Sequence, residues 1–203
     1  MNDLYAAVVH DVKNQLAELS LRLGERGDAQ KEVEIAMSAA RRLSEMLLVL
    51  RHENNLLSVN ADSVNAGDFM AELAAEYREM FPGLTIEIND EKAPDLAFFD
   101  EALVRMALAN AIHNACRSAR SKVKLAVTEQ NKMLVLEVAD DGHGYPDSMI
   151  GKKITTPLPV SGRGTGLGLY LAAKIAALHH LKDQQGCIEL SNAEGAVFRM
   201  ILP

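Results

Sequence analysis

The strand-like run Met133 to Ala139 leads into Asp140-Asp141-Gly142-His143-Gly144 and is answered downstream by Gly162-Arg163-Gly164-Thr165-Gly166-Leu167-Gly168-Leu169. An apolar strand thus ends in a carboxylate and two glycines, and a second glycine cluster opens a helix. Glycines let the backbone approach a ligand closely, and a helix start offers free N–H groups to phosphate. The pair reads as two walls of a nucleotide site. Asp140 can accept a hydrogen bond from an exocyclic amine such as that of adenine, although Asp-x-Gly-x-Gly alone is often only a turn. Commoner phosphate motifs fail. A dinucleotide fingerprint begun at Gly162 needs glycine where Leu167 stands, and one begun at Gly164 needs it where Leu169 stands. A P-loop needs Gly-Lys-Ser/Thr, which does not occur.

Working outward from these walls, Val123, Leu125 and Val127 alternate, as do Leu134, Leu136 and Val138, and Gln130-Asn131-Lys132 joins them as a predicted hairpin. Between the glycine clusters, Pro157 and Pro159 argue against helix. Lys152, Lys153 and Arg163 there are either phosphate contacts or solvated charges. The spacing of Leu167, Leu171, Ile175 and Leu178 predicts a helix to about His179, with His179-His180 capping its end. A last hairpin is predicted from Cys187–Leu190 and Val197–Leu202 through Asn192-Ala193-Glu194-Gly195.

Upstream, Asp100 can cap a helix from Glu101 to about Ala119 with Leu103, Val104, Ala107, Leu108, Ala111, Ile112 and Ala115 on its apolar side. Asn110 and Asn114 sit one turn apart within it. Asparagine is unfavourable inside a helix. The pair is either ordinary exposed polarity or a set of oxygens turned toward a metal–phosphate group, since Mg²⁺ takes oxygen ligands. Asp68 to Phe81 reads as a further helix ended by Pro82-Gly83, followed by strands at Leu84–Ile88 and Leu96–Phe99. The stretch from Asn54 to Gly67 reads as a linker.

The first sixty residues are different in kind. Leu4, Val8, Val12, Leu16, Leu19 and Leu23 form one stripe, and Val33, Ala36, Ala40, Leu43, Leu47 and Leu50 form a heptad seam. Gly24 to Asp28 breaks the two apart. The pattern predicts an antiparallel helical hairpin that two copies bury as a four-helix bundle. His10 lies off the stripe and shares a face with Asn14, with Asp11 beside it. Taken alone, His10 is an ordinary surface histidine; a carboxylate holding one ring nitrogen would make the other a better nucleophile.

The bulk numbers suit a soluble globular protein. The 203 residues are 48% hydrophobic and 24% charged, with 4% aromatic and no Trp. The net charge of -7, from 21 basic and 28 acidic residues, argues against a nucleic-acid surface. Cys116 and Cys187 lack metal-ligand spacing and read as reduced thiols of a cytoplasmic protein. No apolar run approaches the ~20 residues of a membrane span, and no signal peptide is evident.

Four strings together carry a resemblance. His10-Asp11-Val12-Lys13-Asn14 resembles the phosphoacceptor box of two-component sensor histidine kinases, Asn110-Ala111-Ile112-His113-Asn114-Ala115 their asparagine box, and the two glycine clusters their glycine boxes. The ATP-binding part is shared with gyrase and heat-shock chaperones. The resemblance implies an α+β protein: a histidine phosphotransfer and dimerisation hairpin over residues 1–60, then an α/β sandwich ATP-binding domain with mixed sheet over 61–203. It implies that His10 is phosphorylated from Mg-ATP, that Asp11 assists as acid/base neighbour, and that Asn14 orients water for dephosphorylating a partner. Asn114 would coordinate Mg²⁺, with Asn110 nearby and Arg117 on phosphate. His113 reads as structural. Asp140, Gly142 and Gly144 would form one nucleotide wall, and Gly164, Thr165, Gly166, Leu167 and Gly168 the other, with residues 145–161 as a lid. The implied partner is a response-regulator receiver whose aspartate takes the phosphoryl group, and the implied assembly is a homodimer. Gln15 stands where the family usually has proline, and the phenylalanine-containing lid box is missing. Little precedes His10, so signal input is expected from a separate sensory partner or from the rest of a longer protein. Two alternatives share parts of this pattern. One is a phosphotransfer adaptor that does not use ATP; the other is a serine kinase of the anti-sigma-factor type, which lacks a histidine hairpin.

Overall fold

The structure is a computed structural model; it describes residues 58–156 and 167–203 throughout and, before them, residues 12, 14–16, 18, 19, 22, 23, 32, 35, 36, 39, 40, 43, 44 and 46. The chain divides into two compact units, Met1–Leu57 and Ser58–Pro203. In the first, every described residue is helical. Ala36 of the expected seam is buried, while Val12 and Leu19 of the expected stripe are exposed. The predicted hairpin as a whole, with its loop, lies outside the described residues.

The second unit is built on a five-stranded mixed sheet. Its elements are β1 (Asp62–Val64), α1 (Ala66–Met80), β2 (Thr85–Lys92), β3 (Ala97–Phe99), α2 (Glu101–Ser118), β4 (Lys122–Gln130), β5 (Met133–Asp140), α3 (Leu167–Leu178), β6 (His180–Leu181), β7 (Gln184–Gln185), β8 (Cys187–Asn192) and β9 (Ala196–Leu202). The large sheet runs in the order β2-β4-β5-β9-β8. β4 and β5 form the predicted hairpin. Its two turn residues, Asn131 and Lys132, both have positive φ (52° and 64°), the backbone of a two-residue turn whose twist matches the strands. β2 joins β4 in parallel, and the remaining neighbours are antiparallel.

Period two then sorts the side chains. Val123, Leu125 and Val127 of β4 and Leu134, Leu136 and Val138 of β5 are buried, and the helices pack over the sheet. Asp140 is the next member of the Leu134-Leu136-Val138 row, so it too lies on that side. The alternate residues Lys122, Lys124, Glu137 and Arg199 carry the solvated face, where Arg199 Nε donates to Glu137 Oε2 at 2.6 Å.

Helix α2 follows its sequence pattern closely. Asp100 is its cap, with Oδ1 accepting from the Leu103 N–H at 3.0 Å, and all seven predicted apolar residues are buried. α1 begins two residues earlier than predicted. Asn65, not the segment after Gly67, supplies the cap by accepting from the Asp68 N–H. Gly67 thus lies inside the first turn, close to Asp90 of β2. The expected linker is correspondingly shorter, because Asp62–Val64 pairs antiparallel with β3. His179 does cap α3, its Nδ1 donating to Ile175 O at 2.8 Å. It also does something no local pattern announces: Nε2 accepts the Asp100 N–H at 3.0 Å, tying the end of α3 to the start of α2. The ring is therefore neutral with its proton on Nδ1. Asp100 Oδ2 in turn accepts the Asn60 N–H at 2.9 Å.

Candidate nucleotide site

Asp140 is 8% exposed, under α2 at the end of β5. A carboxylate is costly to bury unless its oxygens are satisfied. Here Oδ1 accepts from the Gly142 N–H at 2.7 Å and from the Ala196 N–H at 3.3 Å. Among the described residues no donor reaches Oδ2, which leaves that oxygen for a ligand. Two further side chains feel this charge. Burial first, and then the Asp140 charge, pushes the Cys116 thiol up to about 12. The Tyr145 phenol is raised for the same two reasons in the same order. Cys116 and Tyr145 therefore stand close enough to the carboxylate to feel its charge.

The glycines after Asp140 are needed for close approach. A Cβ at Gly142 would overlap Ser118 O, the last carbonyl of α2, and would stand 2.8 Å from Asp140 Oδ1. Gly144 has φ +76° and faces the Asn192 amide, which a Cβ would meet at 2.8 Å. Gly195 packs against Asp140 and Gly142 from the β8–β9 turn, where an added Cβ would be 2.6 Å from Asp140 Oδ1. Asp141 points the other way. It accepts from the Arg120 N–H at 2.7 Å, the Ser121 N–H at 3.1 Å and the Ser121 Oγ at 2.6 Å. These bonds, the hydroxyl foremost, hold its carboxyl well below the usual range.

The second predicted wall meets the same helix. A Cβ at Gly168, in the first turn of α3, would overlap the Asn110 side-chain amide. Only glycine lets α3 start this close to α2. Asn114 Nδ2 donates to Asn110 Oδ1 at 2.9 Å, so Asn114 Oδ1 is the oxygen of the pair without a protein donor among the described residues. Gly168 thus abuts α2 at Asn110 and Gly142 abuts it at Ser118. Eight residues of helix separate those points, roughly 12 Å at 1.5 Å per residue, and Asn114 lies midway. Gly142 of the first glycine box, Gly168 of the second and the asparagine pair therefore meet on one helix. Arg117 is exposed at its end. The His113 ring packs on Phe81, centroids 5.7 Å apart, in the structural role expected of it.

Other predicted residues lie elsewhere. Asn14 is helical and exposed in the first unit. His10, Asp11, Gly164, Thr165 and Gly166 lie outside the described residues, as do Pro157, Pro159 and Arg163. Leu167 opens α3 and is half-buried. Among the described residues no three His, Cys, Asp or Glu side chains cluster as metal ligands. The donor set still suits Mg²⁺, which keeps its waters and takes one or two protein oxygens together with phosphate oxygens. Asn114 Oδ1 is such an oxygen. The sequence reading missed Cys116, Tyr145, Asn192, Gly195 and Ala196 around Asp140. The Asn192–Gly195 segment carried only a turn signal, and nothing local shows that the turn folds back onto the first glycine box.

Known proteins agree with this geometry. The family model described as histidine kinase-, DNA gyrase B-, and HSP90-like ATPase matches residues 99–203. The sensory histidine kinase/phosphatase NtrB of Rhodobacter capsulatus is 27% identical over 97% of this chain and 60% of its own length. Sporulation kinase A of Bacillus subtilis is 24% identical over 98% of this chain and 34% of its own. The chain thus spans between a third and three fifths of these two relatives. Among solved structures, the catalytic domain of histidine kinase ThkA superposes with a TM-score of 0.61 at 21% identity, covering 71% of this chain and 97% of that one. Acinetobacter baumannii histidine kinase AdeS gives 0.64 at 17% identity, covering 94% of each chain. Among the described residues no helix is long and apolar enough to cross a membrane. With a helix-backed mixed sheet, a buried aspartate followed by two glycines, an asparagine helix met by Gly168, and the family match over residues 99–203, the chain belongs to the histidine kinase-, DNA gyrase B-, and HSP90-like ATPase family.

Proposed function

We propose that this chain is the core of an ATP-dependent protein histidine kinase. In this reading Mg-ATP binds along α2. Asp140 Oδ2 accepts from the adenine amine, Cys116 and Tyr145 pack about the base, and the phosphates extend past Asn114 toward Gly168 and the start of α3. The N–H groups of Gly164, Thr165 and Gly166, with Arg117, complete the phosphate contacts. Asn114 and Asn110 would hold Mg²⁺, which neutralises charge on the phosphate oxygens when bound. The observation that carries the reading is that Gly142 and Gly168 both abut α2, with Asp140 Oδ2 and Asn114 Oδ1, which take no donor among the described residues, on the same stretch.

The transfer itself follows from the phosphoacceptor string. The His10 ring nitrogen forms a bond to the γ-phosphorus as the bond to the β,γ-bridging oxygen breaks, and the electron pair leaves with ADP. Asp11 accepts a hydrogen bond from the N–H of the other ring nitrogen and stabilises the charge gained by the imidazole. Positioning and charge neutralisation supply most of the catalysis in phosphoryl transfer. The phosphoryl group then passes to an aspartate carboxylate of a receiver protein. Asn14, one turn from His10, orients water for the reverse, hydrolytic outcome. Two copies paired through residues 1–60 form the working dimer, in the cytoplasm.

The test is incubation with γ-labelled ATP and Mg²⁺. Wild type should acquire acid-labile label; His10→Ala and Asp140→Ala should acquire none. Full labelling of His10→Ala would sink the histidine assignment, and acid-stable label would favour a serine kinase instead.

A further inference from the structure

The first glycine box is held by a side chain that the mechanism above does not use. Asn192, the last residue of β8, makes a double hydrogen bond to the backbone of Tyr145. The Tyr145 N–H donates to Asn192 Oδ1 at 2.7 Å, and Asn192 Nδ2 donates to Tyr145 O at 2.8 Å. A side-chain amide carries the same donor and acceptor as a peptide group. Asn192 therefore does for Tyr145 what an added strand residue would do, across 47 positions of sequence. The neighbouring turn holds the other end of the same loop. The Ala196 N–H reaches Asp140 Oδ1, and Gly195 packs on the Gly142 backbone nitrogen. Between these anchors run Gly142, His143 and Gly144, with Gly144 in the left-handed region against the Asn192 amide.

We infer that Asn192 is a positioning residue for nucleotide binding: by pinning the Tyr145 backbone it fixes the glycine box that follows Asp140. This rests on the ATP-binding reading given above. A segment with two glycines in three residues has large conformational freedom. If it were free, the nucleotide would have to order it on binding, at a cost in affinity. The clamp removes that cost beforehand. Two backbone hydrogen bonds of ordinary strength correspond to about a tenfold change in dissociation constant. The effect belongs to the base end of the site, so ATP and ADP should be weakened alike.

The test uses the full chain and calorimetric titration with Mg-ADP and with Mg-ATP under non-turnover conditions, together with thermal unfolding of the nucleotide-free protein. Asn192→Ala should bind both nucleotides about tenfold more weakly, with KM for ATP raised and kcat unchanged. Asn192→Asp keeps the acceptor for the Tyr145 N–H, loses the donor, and should fall between wild type and Asn192→Ala. Gly144→Ala should weaken binding on its own, because its Cβ meets the Asn192 amide. Combined with Asn192→Ala it should lose less than the product of the two separate factors, since the obstructing amide is gone. Wild-type affinity in Asn192→Asp overturns the proposal, as does simple multiplication of the Gly144→Ala and Asn192→Ala effects. If wild type itself binds no nucleotide, the ATP-binding reading falls first, and this inference falls with it.

Discussion

The Asp140 end and the Asn114 end of α2 are built on different physical terms. At the Asp140 end the carboxylate is buried, one of its oxygens is tied by two backbone N–H groups, and two glycines, Gly142 and Gly195, press against neighbouring backbone. At the Asn114 end the closest glycine contact is with the Asn110 amide, and Asn114 is exposed. The first end is preorganised and cannot yield; the second has a movable side chain. A rigid pocket suits a ligand group of fixed shape, such as a base. A yielding, water-accessible end suits a hydrated cation and phosphates.

This contrast can be broken by experiment. The largest effect should come from Gly142→Ala, whose Cβ has only the Ser118 carbonyl and the Asp140 carboxylate to push against. It should destabilise the fold by about 3 kcal/mol in denaturant titration and abolish measurable ADP binding. Gly168→Ala, meeting an amide that can rotate, should cost about 1 kcal/mol. Equal losses at the two positions would erase the distinction. Next is Asp140→Asn, which removes a charge-assisted acceptor. ADP binding should weaken by roughly 10- to 100-fold by calorimetry. The Cys116 thiol should then titrate lower than about 12 while staying above its ordinary value, because burial is the larger cause of its shift. That is measurable as a modest rise in alkylation rate at alkaline pH.

Asn114→Ala should act on the other end alone. The fold should be unchanged within about 0.5 kcal/mol, as for an exposed position. ADP measured without Mg²⁺ should bind as to wild type, whereas the gain on adding Mg²⁺ should shrink several-fold. A loss that ignores Mg²⁺ would remove Asn114 from the metal. The smallest effect is that of Asp141→Asn. Asp141 is depressed in the folded state, so its stabilisation is present above the ordinary carboxylate pKa of about 4 and is lost as pH falls through the lower folded value. Melting curves should separate wild type from the variant near neutral pH and converge as the solution is acidified below about pH 4.

His179 shows how the two kinds of information divide. Its place at the end of a helical pattern is enough to predict capping, and it does cap. The acceptor role toward the Asp100 N–H joins residues 79 positions apart and leaves no trace in either local pattern. The start of α1 was misread for a related reason. Gly67 looks like a breaker by propensity, but a glycine in the first turn, beside Asp90 of a neighbouring strand, is a packing choice made by tertiary structure.

By itself the sequence determined what period and turn chemistry encode: the apolar face of α2, the β4–β5 hairpin joined at Gln130-Asn131-Lys132, the helix opening at the second glycine box, and Asp140 as the residue that ends a core-facing row. Each follows from side-chain spacing within a few residues. Only the tertiary structure decided the parallel pairing of β2 with β4, the meeting of Gly142 and Gly168 on α2, and the clamp of Asn192 on Tyr145. Those depend on backbone groups and amides that any residue or any asparagine carries, so their partners are chosen by where the chain returns and not by what is written beside them.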